Sequence, residues 1–302
     1  MLTIVIPTWN RAADLNKLLE SCYPISSENR VSILVIDDGS TDDTSSICDS
    51  HKARNPNLEI FKHPKNQGYA VSFLDAIEKS KSEWILMCED DGMVTQEEIQ
   101  KILLSLTITD SDILVTNFKD KDGVYLRRFQ SAKPTWSNLR HAPGIIYRRE
   151  KLLLHLPYIR EIMKDNMFVE HYPQVVVSMS SLNQGRVCWL DATPCAQEFE
   201  NPSNIGGSVG YWHILSRARQ SVGAVKLSKS KYFKKIAWPV SSSVALELST
   251  QTIKEAVLRG LRLQNNPLQT VRSLTITSAA LTILIIDICM VKSKMKFLGE
   301  TN

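Results

Sequence analysis

Short apolar runs, separated by segments with helical spacing, make up the first hundred residues. Each run contains β-branched or long apolar residues and ends in turn chemistry, which is typical of strands buried on both faces of a parallel sheet. The runs occupy residues 2–6, 31–36, 58–62 and 84–88. Between them, apolar residues recur every three or four positions and predict helices. This alternation predicts a doubly wound α/β sheet with helices on both faces.

The pattern continues less regularly beyond the helix predicted at 97–106. Further strands are predicted at 112–118, 145–147 and 185–190, and Asp122-Gly123 is typical of a hairpin turn. Residues 191–207 are rich in Pro, Asn and Gly, which predicts a mobile loop that could close over a ligand.

Carboxylates follow the second predicted strand at the end where α/β sheets bind ligands. Asp37 and Asp38 stand directly after the run "ILVI". Such side chains can accept hydrogen bonds from a nucleotide or help to hold a cation that carries phosphate. The alternative is that they only cap the helix that follows at 44–54.

A second acidic cluster follows the fourth predicted strand, and helix capping explains it poorly. Glu89, Asp90 and Asp91 are separated from the next helix by three residues, and that helix has its own cap in Thr95. Crowded carboxylates repel one another unless a cation joins them. A divalent metal bound through one or two carboxylates and a substrate's phosphates is the natural partner.

Composition is ordinary for a globular protein, but charge is distributed unevenly. Hydrophobic residues make up 43% and charged residues 23% of the 302 residues, and the net charge is +4. Residues 1–216 carry a net charge of −6, and residues 217–302 carry +10. The basic end therefore suits an anionic partner.

The spacing of the cysteines and the first residues of the sequence indicate in which cellular compartment we expect the protein. The six cysteines show no C-x-x-C spacing, which favours a reduced compartment without structural zinc. The sequence "MLTIVIPTWNR" is typical of a strand entering a turn and not of a signal peptide. We expect a cytoplasmic protein, peripheral on the inner face of the plasma membrane.

The membrane expectation comes from the basic segment after residue 217. Five lysines between 226 and 235 lie beside Tyr232, Phe233 and Trp238, as in helices that lie on anionic bilayers. Nucleic acid is the rival partner, but no nucleic-acid motif accompanies the patch, so we do not expect it. Residues 274–291 are mostly apolar and contain a single charged residue, Asp287. They could span a membrane, lie in its interface or pack on the protein's own core.

Three segments in this order resemble the family 2 glycosyltransferases of the GT-A fold. They read "IVIPTWNR", "ILVIDDGSTDDT" and "NQGYAVSFLDAIEKSKSEWILMCEDD". The resemblance, which extends to bacterial O-antigen and surface polysaccharide sugar transferases, implies transfer of a sugar from a nucleoside-diphosphate sugar to an acceptor hydroxyl. It also implies inversion, a Mn²⁺ or Mg²⁺ cofactor and, together with the basic tail, a lipid-linked acceptor.

The resemblance also assigns roles to residues. Asp38 would contact the base and Asp37 would support its loop, while Asp90 would contact the ribose, donor sugar or metal. The metal would bind Asp91, with Glu89 as the alternative first ligand. The remaining residues would line or cover the nucleotide: Pro7, Thr8, Asn10, Arg11, Asn66 and Gly68.

Two positions depart from the family pattern. Phe73 stands where members often carry an arginine, so that a diphosphate or base contact is missing or replaced. The acidic motif reads Glu89-Asp90-Asp91 instead of D-x-D, which leaves open which carboxylate touches the metal.

The family takes its general base from an acidic pair near the start of a later helix. Here that position reads Glu170-His171, and either side chain can accept a proton from an acceptor hydroxyl. Asp165 is a third candidate.

The expected organisation has three parts. Residues 1–106 form the nucleotide-sugar-binding half, 107–216 the acceptor-binding and catalytic half, and 217–302 a helical membrane-associating tail. Two other functions stay open. A nucleotidyltransferase would need a Gly-rich loop after the first strand, where "PTWNRAAD" has none. A non-catalytic sugar-nucleotide-binding or scaffold protein would bind nucleotide without turnover.

Overall fold

The computed structural model describes residues 1–26, 30–120 and 122–197, together with Gln220, Gly223, Ala224 and Leu227. The chain divides into two units. One comprises Met1–Glu161 and Tyr172–Asn204, and the other comprises Ile162–His171 and Ile205–Asn302. The three-part division expected from the sequence stays a prediction.

Eleven strands and eight α-helices occur in the described residues. The strands are β1 (Leu2–Thr8), β2 (Val31–Asp37), β3 (Leu58–Lys62), β4 (Trp84–Met87), β5 (Gly92–Val94), β6 (Ile113–Val115), β7 (Phe118–Lys119), β8 (Tyr125–Arg127), β9 (Ile145–Arg148), β10 (Val187–Trp189) and β11 (Cys195–Gln197). The helices are α1 (Ala12–Ser26), α2 (Thr44–Arg54), α3 (Tyr69–Lys79), α4 (Gln96–Leu106), α5 (Arg149–Leu153), α6 (Leu156–Met163), α7 (Met167–His171) and α8 (Pro173–Asn183). A 3₁₀ turn covers Trp136–Leu139.

The main sheet has seven strands in the order β10-β6-β9-β4-β1-β2-β3. Strands β1 to β4 are parallel to one another, β10 is parallel to β6, and β9 runs antiparallel to its neighbours β4 and β6. This is the predicted doubly wound α/β sheet. Because β2 and β4 lie on opposite sides of β1, the chain reverses direction across the sheet at β1, which is where such sheets bind ligands.

Alternating side chains of β1 show why the sheet is covered on both faces. Leu2, Ile4 and Ile6 are fully buried and share one core cluster with Leu15 and Leu18 of α1. The opposite face is covered by α3, which packs against β1 and β2. Every residue of β4 is buried as well. A strand buried on both faces must be apolar throughout, which is the pattern the sequence showed.

The second half differs from the sequence expectation in two places. The predicted strand 112–118 is broken into β6 and β7, because the chain leaves the main sheet for a second sheet of order β5-β11-β7-β8. Cys195–Gln197, predicted as part of a mobile loop, instead forms β11, which pairs antiparallel with β5. That loop prediction is wrong for these three residues, because strand pairing across a hundred residues leaves no local signal.

A buried arginine joins the two sheets. The Arg127 guanidinium donates hydrogen bonds to the backbone carbonyls of Thr116 (2.7 Å), Asn138 (3.3 Å), His141 (2.6 Å) and Pro143. Four carbonyls that would otherwise be buried without donors are thereby satisfied. The loop before β9 is fixed by these bonds.

In the second unit, Asn166 caps the short helix α7. Its Oδ1 accepts hydrogen bonds from the backbone N–H groups of Phe168 (3.1 Å) and Val169 (3.4 Å). Its Nδ2 donates to the carbonyl of Gly223 at 3.0 Å. One side chain therefore ties α7 to the later part of the same unit.

The basic segment 217–302 and the apolar segment 274–291 lie outside the described residues, apart from the four positions named above. The predictions made for them, including the helical tail, stay predictions. Among the helices that the structure describes, none combines the length and apolarity needed to cross a bilayer.

Gly39 controls how closely the loop after β3 approaches the loop after β2. Its φ is +72°, and a Cβ there would lie 2.6 Å from the backbone nitrogen of Asn66. Gly68 also has a positive φ, +88°, but a Cβ at that position would meet nothing within 4 Å. A side chain would therefore collide with the neighbouring loop at Gly39 and not at Gly68.

We expect Gly68→Ala to lower the free energy of unfolding by about 1–3 kcal/mol, because its φ of +88° and ψ of +161° lie in a region that is essentially restricted to glycine. Gly39→Ala should lower it by about 3 kcal/mol or more, because overpacking is added to the strain of a positive φ. Urea unfolding of both variants measures the losses. A loss of only about 1 kcal/mol in Gly39→Ala, the cost of a left-handed alanine alone, would show that the two loops are not in close contact at Gly39.

Candidate functional site

An open pocket of about 250 Å³ lies at the carboxyl ends of the central strands. Segments that follow β1, β2, β3 and β4 all contribute to it, as the strand order requires. Its lining residues are Pro7, Thr8, Trp9, Arg11, Asp38, Asn66, Gly68, Tyr69, Ser72 and Asp90. Seven of these are positions that the sequence resemblance assigned to the nucleotide.

Asn10 is not among the lining residues and instead joins two loops. It adopts a positive φ of 54°. Its Oδ1 accepts the backbone N–H of Thr41 at 2.8 Å, and its own N–H donates to Ser40 Oγ at 2.9 Å. Asn tolerates this conformation better than most residues. Asn10 thus fixes the loop after β1 against the loop after β2.

Asp37 is buried and holds the turn that follows β2. Its Oδ1 accepts the backbone N–H of Ser40 at 2.8 Å, and its Oδ2 lies 3.3 Å from Ser45 Oγ and from Lys62 Nζ. All these contacts lie within the protein, and Asp37 is not a lining residue of the pocket. The supporting role expected for it stays a prediction.

Asp38 lines the pocket and also organises the loop on its far side. Oδ1 lies 2.7 Å from His63 Nδ1 and accepts the backbone N–H of Gln67 at 2.8 Å. Oδ2 accepts the backbone N–H of Gly68 at 2.8 Å. Each carboxylate oxygen can accept two hydrogen bonds, so Oδ2 retains the capacity for one more donor.

Arg11 brings a positive charge to the acidic cluster. Its Nε lies 3.6 Å from Asp90 Oδ1, and its Nη1 lies 3.3 Å from Asp14 Oδ2 and 3.9 Å from Asp91 Oδ2. The side chain is only 13% exposed. Nη2 is buried and has no hydrogen-bond partner among the described residues. A buried guanidinium nitrogen without a partner is costly, and an anion in the pocket would satisfy it.

The three carboxylates of the acidic cluster, Glu89, Asp90 and Asp91, differ in how deeply they are buried. Asp90 lines the pocket, Asp91 is buried beside Arg11, and Glu89 is half-buried with its Oε1 3.9 Å from His141 Nδ1. Burial raises the pKa of Asp90 to about 7, although the charge of Arg11 opposes the shift. Burial and then repulsion from Asp91 and Asp90 raise the pKa of Glu89 to about 8. The cluster is therefore short of positive charge.

His141 closes the far side of the cluster. Its ring packs edge-on against Phe118 with centroids 4.3 Å apart. Burial, and then the charge of Arg127, lower the pKa of His141 to about 4. The imidazole is therefore neutral near pH 7 and does not neutralise Glu89.

The residues present fit a divalent cation that binds together with substrate phosphates. In the described part of the chain, no group of three or more His, Cys, Asp or Glu side chains is placed to hold a metal by itself. Mg²⁺-type sites instead use one or two carboxylates and complete their coordination with phosphate and water. Asp90 and Asp91 supply such carboxylates, and their deficit of positive charge favours a cation.

Phe73, the departure from the family pattern, lies in the core. It is fully buried and packs edge-on against Tyr147 with centroids 6.0 Å apart. It cannot contact a phosphate. The preceding residue, Ser72, lines the pocket, and its buried hydroxyl has no partner among the described residues.

The three candidate bases lie in the second unit. Glu170 and His171 are exposed residues of α7, and Asp165 is exposed just before it. The His171 ring nitrogen Nδ1 lies 2.9 Å from the carbonyl oxygen of Met167, one turn earlier. Their roles stay predictions.

Sequence reasoning missed two aromatic residues of the pocket. Trp9 is 52% exposed and Tyr69 is 43% exposed, although large aromatic side chains are usually buried. Both lining residues are neighbours of motif residues in the chain, Thr8 and Gly68. Their position next to these motif residues was the feature of the sequence that could have identified them as pocket residues.

Solved structures with the same fold include glycosyltransferases. The structure of S. aureus TarS 1–349 in complex with UDP-GlcNAc aligns with a TM-score of 0.60 and 16% sequence identity, covering 93% of this chain and 81% of that chain. The mannosyltransferase PcManGT from Pyrobaculum calidifontis, in complex with GDP-Man and Mn²⁺, aligns with a TM-score of 0.50 and 14% identity, covering 99% and 88%. Similarity at this identity confirms the predicted GT-A fold.

Sequence comparisons point to the same family. The glycosyltransferase GlyG of Streptococcus pneumoniae serotype 4 is 25% identical over 123 residues, which cover 40% of each protein. The matched region thus spans about two fifths of the length of such curated relatives. Residues 3–164 match the family model described as "Glycosyl transferase family 2", which covers more than half of the chain. The chain therefore belongs to glycosyltransferase family 2.

Proposed function

We propose that this protein transfers a sugar from a nucleoside-diphosphate sugar to an acceptor hydroxyl. The donor would bind in the pocket at the carboxyl ends of β1 to β4. The observation that carries the proposal is the convergence at one pocket of Asp38, Arg11 and Asp90, which come from three different loops. Family membership and the donors named for TarS and PcManGT support it.

The nucleoside would bind at the Asp38 side of the pocket. The remaining acceptor position on Asp38 Oδ2 suits an N–H group of a nucleobase. Trp9 and Tyr69, both partly exposed at the pocket, offer aromatic surfaces for a base or a sugar ring. Asn66 and Gly68 line the same side. These contacts would fix the nucleoside and leave the diphosphate facing the acidic cluster.

Arg11 would take over the diphosphate contact of the arginine that family members often carry at the position of Phe73. Its partnerless Nη2 and its positive charge suit a diphosphate oxygen. Asp91 and Asp90, with Glu89 as the alternative ligand, would hold a Mn²⁺ or Mg²⁺ ion. The ion would supply charge neutralisation for the departing nucleoside diphosphate. PcManGT, of the same fold, was solved with Mn²⁺.

Glu170 or His171 would take the proton from the acceptor hydroxyl, with Asp165 as the third candidate. Direct attack by that hydroxyl on the donor sugar would invert the configuration at the transferred carbon. The base must accept a proton near neutral pH, which an exposed carboxylate or imidazole can do. No covalent sugar intermediate is needed.

The acceptor would be a lipid-linked glycan of surface polysaccharide synthesis, O-antigen-like in character. The basis is the net charge of +10 over residues 217–302 and the aromatic residues within that segment. A chain held at an anionic membrane surface would meet acceptors anchored there.

The donor site can be tested by calorimetry with UDP, GDP, CDP and dTDP, each with and without Mn²⁺. We expect one nucleotide to bind in a metal-dependent way and Asp91→Asn to weaken that binding by at least about tenfold, because a carboxylate ligand is lost. Asp14→Asn is the matched control, since Asp14 also contacts Arg11 but lies outside the acidic cluster. Equal effects of the two substitutions, or metal-independent binding, would contradict the assignment.

The base can be tested by release of nucleoside diphosphate from the corresponding sugar donor. We expect Glu170→Gln or His171→Gln to lower turnover by about a hundredfold or more while nucleotide affinity is retained, because general-base catalysis contributes that much. Asp165→Asn is measured in parallel. Retained turnover in all three variants would exclude these bases. Binding without turnover in the wild type would favour the scaffold alternative.

Membrane association can be tested by sedimentation of the full chain with lipid vesicles. We expect binding to vesicles that contain phosphatidylglycerol and little binding to phosphatidylcholine alone. Replacing Lys231, Lys234 and Lys235 by Gln should weaken binding by about a hundredfold, at about 1 kcal/mol for each lysine.

The control replaces three lysines of the first unit by Gln, namely Lys17, Lys101 and Lys151, whose side chains are 42% to 53% exposed. The change in net charge is the same in both triple variants. Similar losses of vesicle binding would mean that net charge, and not the tail, causes the association.

A further inference from the structure

His63 lies between two carboxylates beneath the pocket. Its Nδ1 is 2.7 Å from Asp38 Oδ1, and its Nε2 is 2.7 Å from Asp75 Oδ2. The residue is only 4% exposed. His63 follows β3, whereas Asp75 lies in the middle of α3. The imidazole therefore connects the end of β2 to a helix on the other side of the loop.

This geometry requires both ring nitrogens to donate. Ionised carboxylates accept hydrogen bonds and donate none, whereas a neutral imidazole has one donor and one acceptor nitrogen. A neutral His63 would turn a lone pair towards one of the two carboxylates. Only the imidazolium satisfies both contacts, and it also places a positive charge between two negative ones.

The charged groups around His63 favour the same state. Asp38 and Asp75 face the ring directly, and Phe61 of β3 packs edge-on against it at 5.3 Å. Behind Asp75, Arg160 of α6 contacts Asp75 Oδ1 at 2.5 Å and Glu78 Oε2 at 2.8 Å. Burial lowers the pKa of His63, but the hydrogen bonds and charges of Asp38 and Asp75 outweigh it and raise the pKa above 6.5.

The consequence for the pocket passes through Asp38. Besides His63, that carboxylate binds the backbone N–H groups of Gln67 and Gly68. Asn66 and Gly68 are lining residues of the pocket. When His63 loses a proton, both carboxylates lose a positively charged neighbour, and one of them also loses its hydrogen-bond donor. Both changes would weaken the contacts that hold Asp38 and, through it, the loop that forms one wall of the pocket.

We propose that His63 is a positioning residue of the donor site, which as an imidazolium holds Asp38 and the 66–68 loop in the shape that binds nucleotide. This inference rests on the proposed function, because it treats the pocket as the nucleotide site. It adds that nucleotide affinity depends on a proton carried by a residue that does not line the pocket.

The direction of the pH effect follows from the raised pKa. Below pH 6.5, the ordinary value for histidine, the stabilising contribution of His63 is fully present. It is lost as the pH rises through the higher pKa of the folded protein. Nucleotide affinity should therefore fall on the alkaline side.

Three variants separate positioning from simple structural support, measured by calorimetry with whichever of UDP, GDP, CDP and dTDP binds the wild type in the presence of Mn²⁺. His63→Gln should bind about tenfold more weakly at about pH 6, since a hydrogen bond to a charged group is lost. Asp75→Asn should bind like the wild type at that pH and keep its affinity up to about pH 9, because the new amide can donate to a neutral ring.

His51→Gln is the matched control. His51 is also a buried histidine, 3% exposed, with Nε2 2.8 Å from Asn16 Oδ1, but it has no contact with Asp38. Its replacement should leave the affinity and its pH profile unchanged. If His63→Gln does not fold, Asp75→Asn still tests the proposal, because it retains the imidazole.

Nitrogen NMR of the imidazole groups provides a readout that needs no nucleotide. In a pH titration of the full-length protein, one histidine should keep the two nearly equal ¹⁵N shifts of an imidazolium to a pH above 6.5, and this signal should be missing in His63→Gln. A His63 that is already neutral below pH 6.5 would overturn the proposal. So would an unchanged alkaline loss of affinity in Asp75→Asn.

The donor-binding function and the positioning role of His63 can be disproved separately. If no nucleotide binds the wild type at any pH, the proposed function fails and the role of His63 in donor binding fails with it. If a nucleotide binds and His63→Gln binds it equally well, only the positioning role is overturned.

Discussion

Parallel pairing of β1 with both β2 and β4 is the constraint on which the rest of the structure depends. The register sets Thr8 opposite Asp37 and Val5 opposite Met87. The carboxyl ends of these strands therefore lie at one edge of the sheet, and the loops that follow them must meet there. All three strands are buried on both faces, so the helices on either side hold them in the middle of the sheet.

The negative charges at this edge of the sheet must also be compensated. Asp37, Asp38 and the acidic cluster place five carboxylates at this edge of the sheet, two of which, Asp38 and Asp90, line the pocket. Each of the five is hydrogen-bonded to backbone, paired with a cation or raised in pKa. Asp37 and Asp38 are satisfied within the protein by Ser40, Lys62, His63 and backbone N–H groups. The acidic cluster has Arg11 alone near Asp90 and Asp91 among the described salt bridges. Asp37 and Asp38 therefore stabilise the loops that form the pocket. The acidic cluster has too little positive charge nearby and would be stabilised by a bound cation.

The sequence predicted what is local and missed what is not. The bounds of α2 and β3 agree with the apolar pattern, because capping, spacing and turn residues act within a few positions. Asn10 was expected in the pocket but joins two loops, since a motif does not show which way a side chain faces. His63, Asp75 and Arg127 were missed, because their partners lie 11 to 85 residues away along the chain. The second sheet was missed for the same reason.

The central claim is that a nucleoside diphosphate and a divalent metal bind together at the carboxyl ends of β1 and β4. The most direct measurement is a crystal structure with the bound nucleotide and Mn²⁺, using anomalous scattering to locate the metal. The account predicts one Mn²⁺ that joins the diphosphate to Asp91 or Asp90, with the base against Asp38. Nucleotide bound elsewhere, or a metal that touches neither carboxylate, would contradict it.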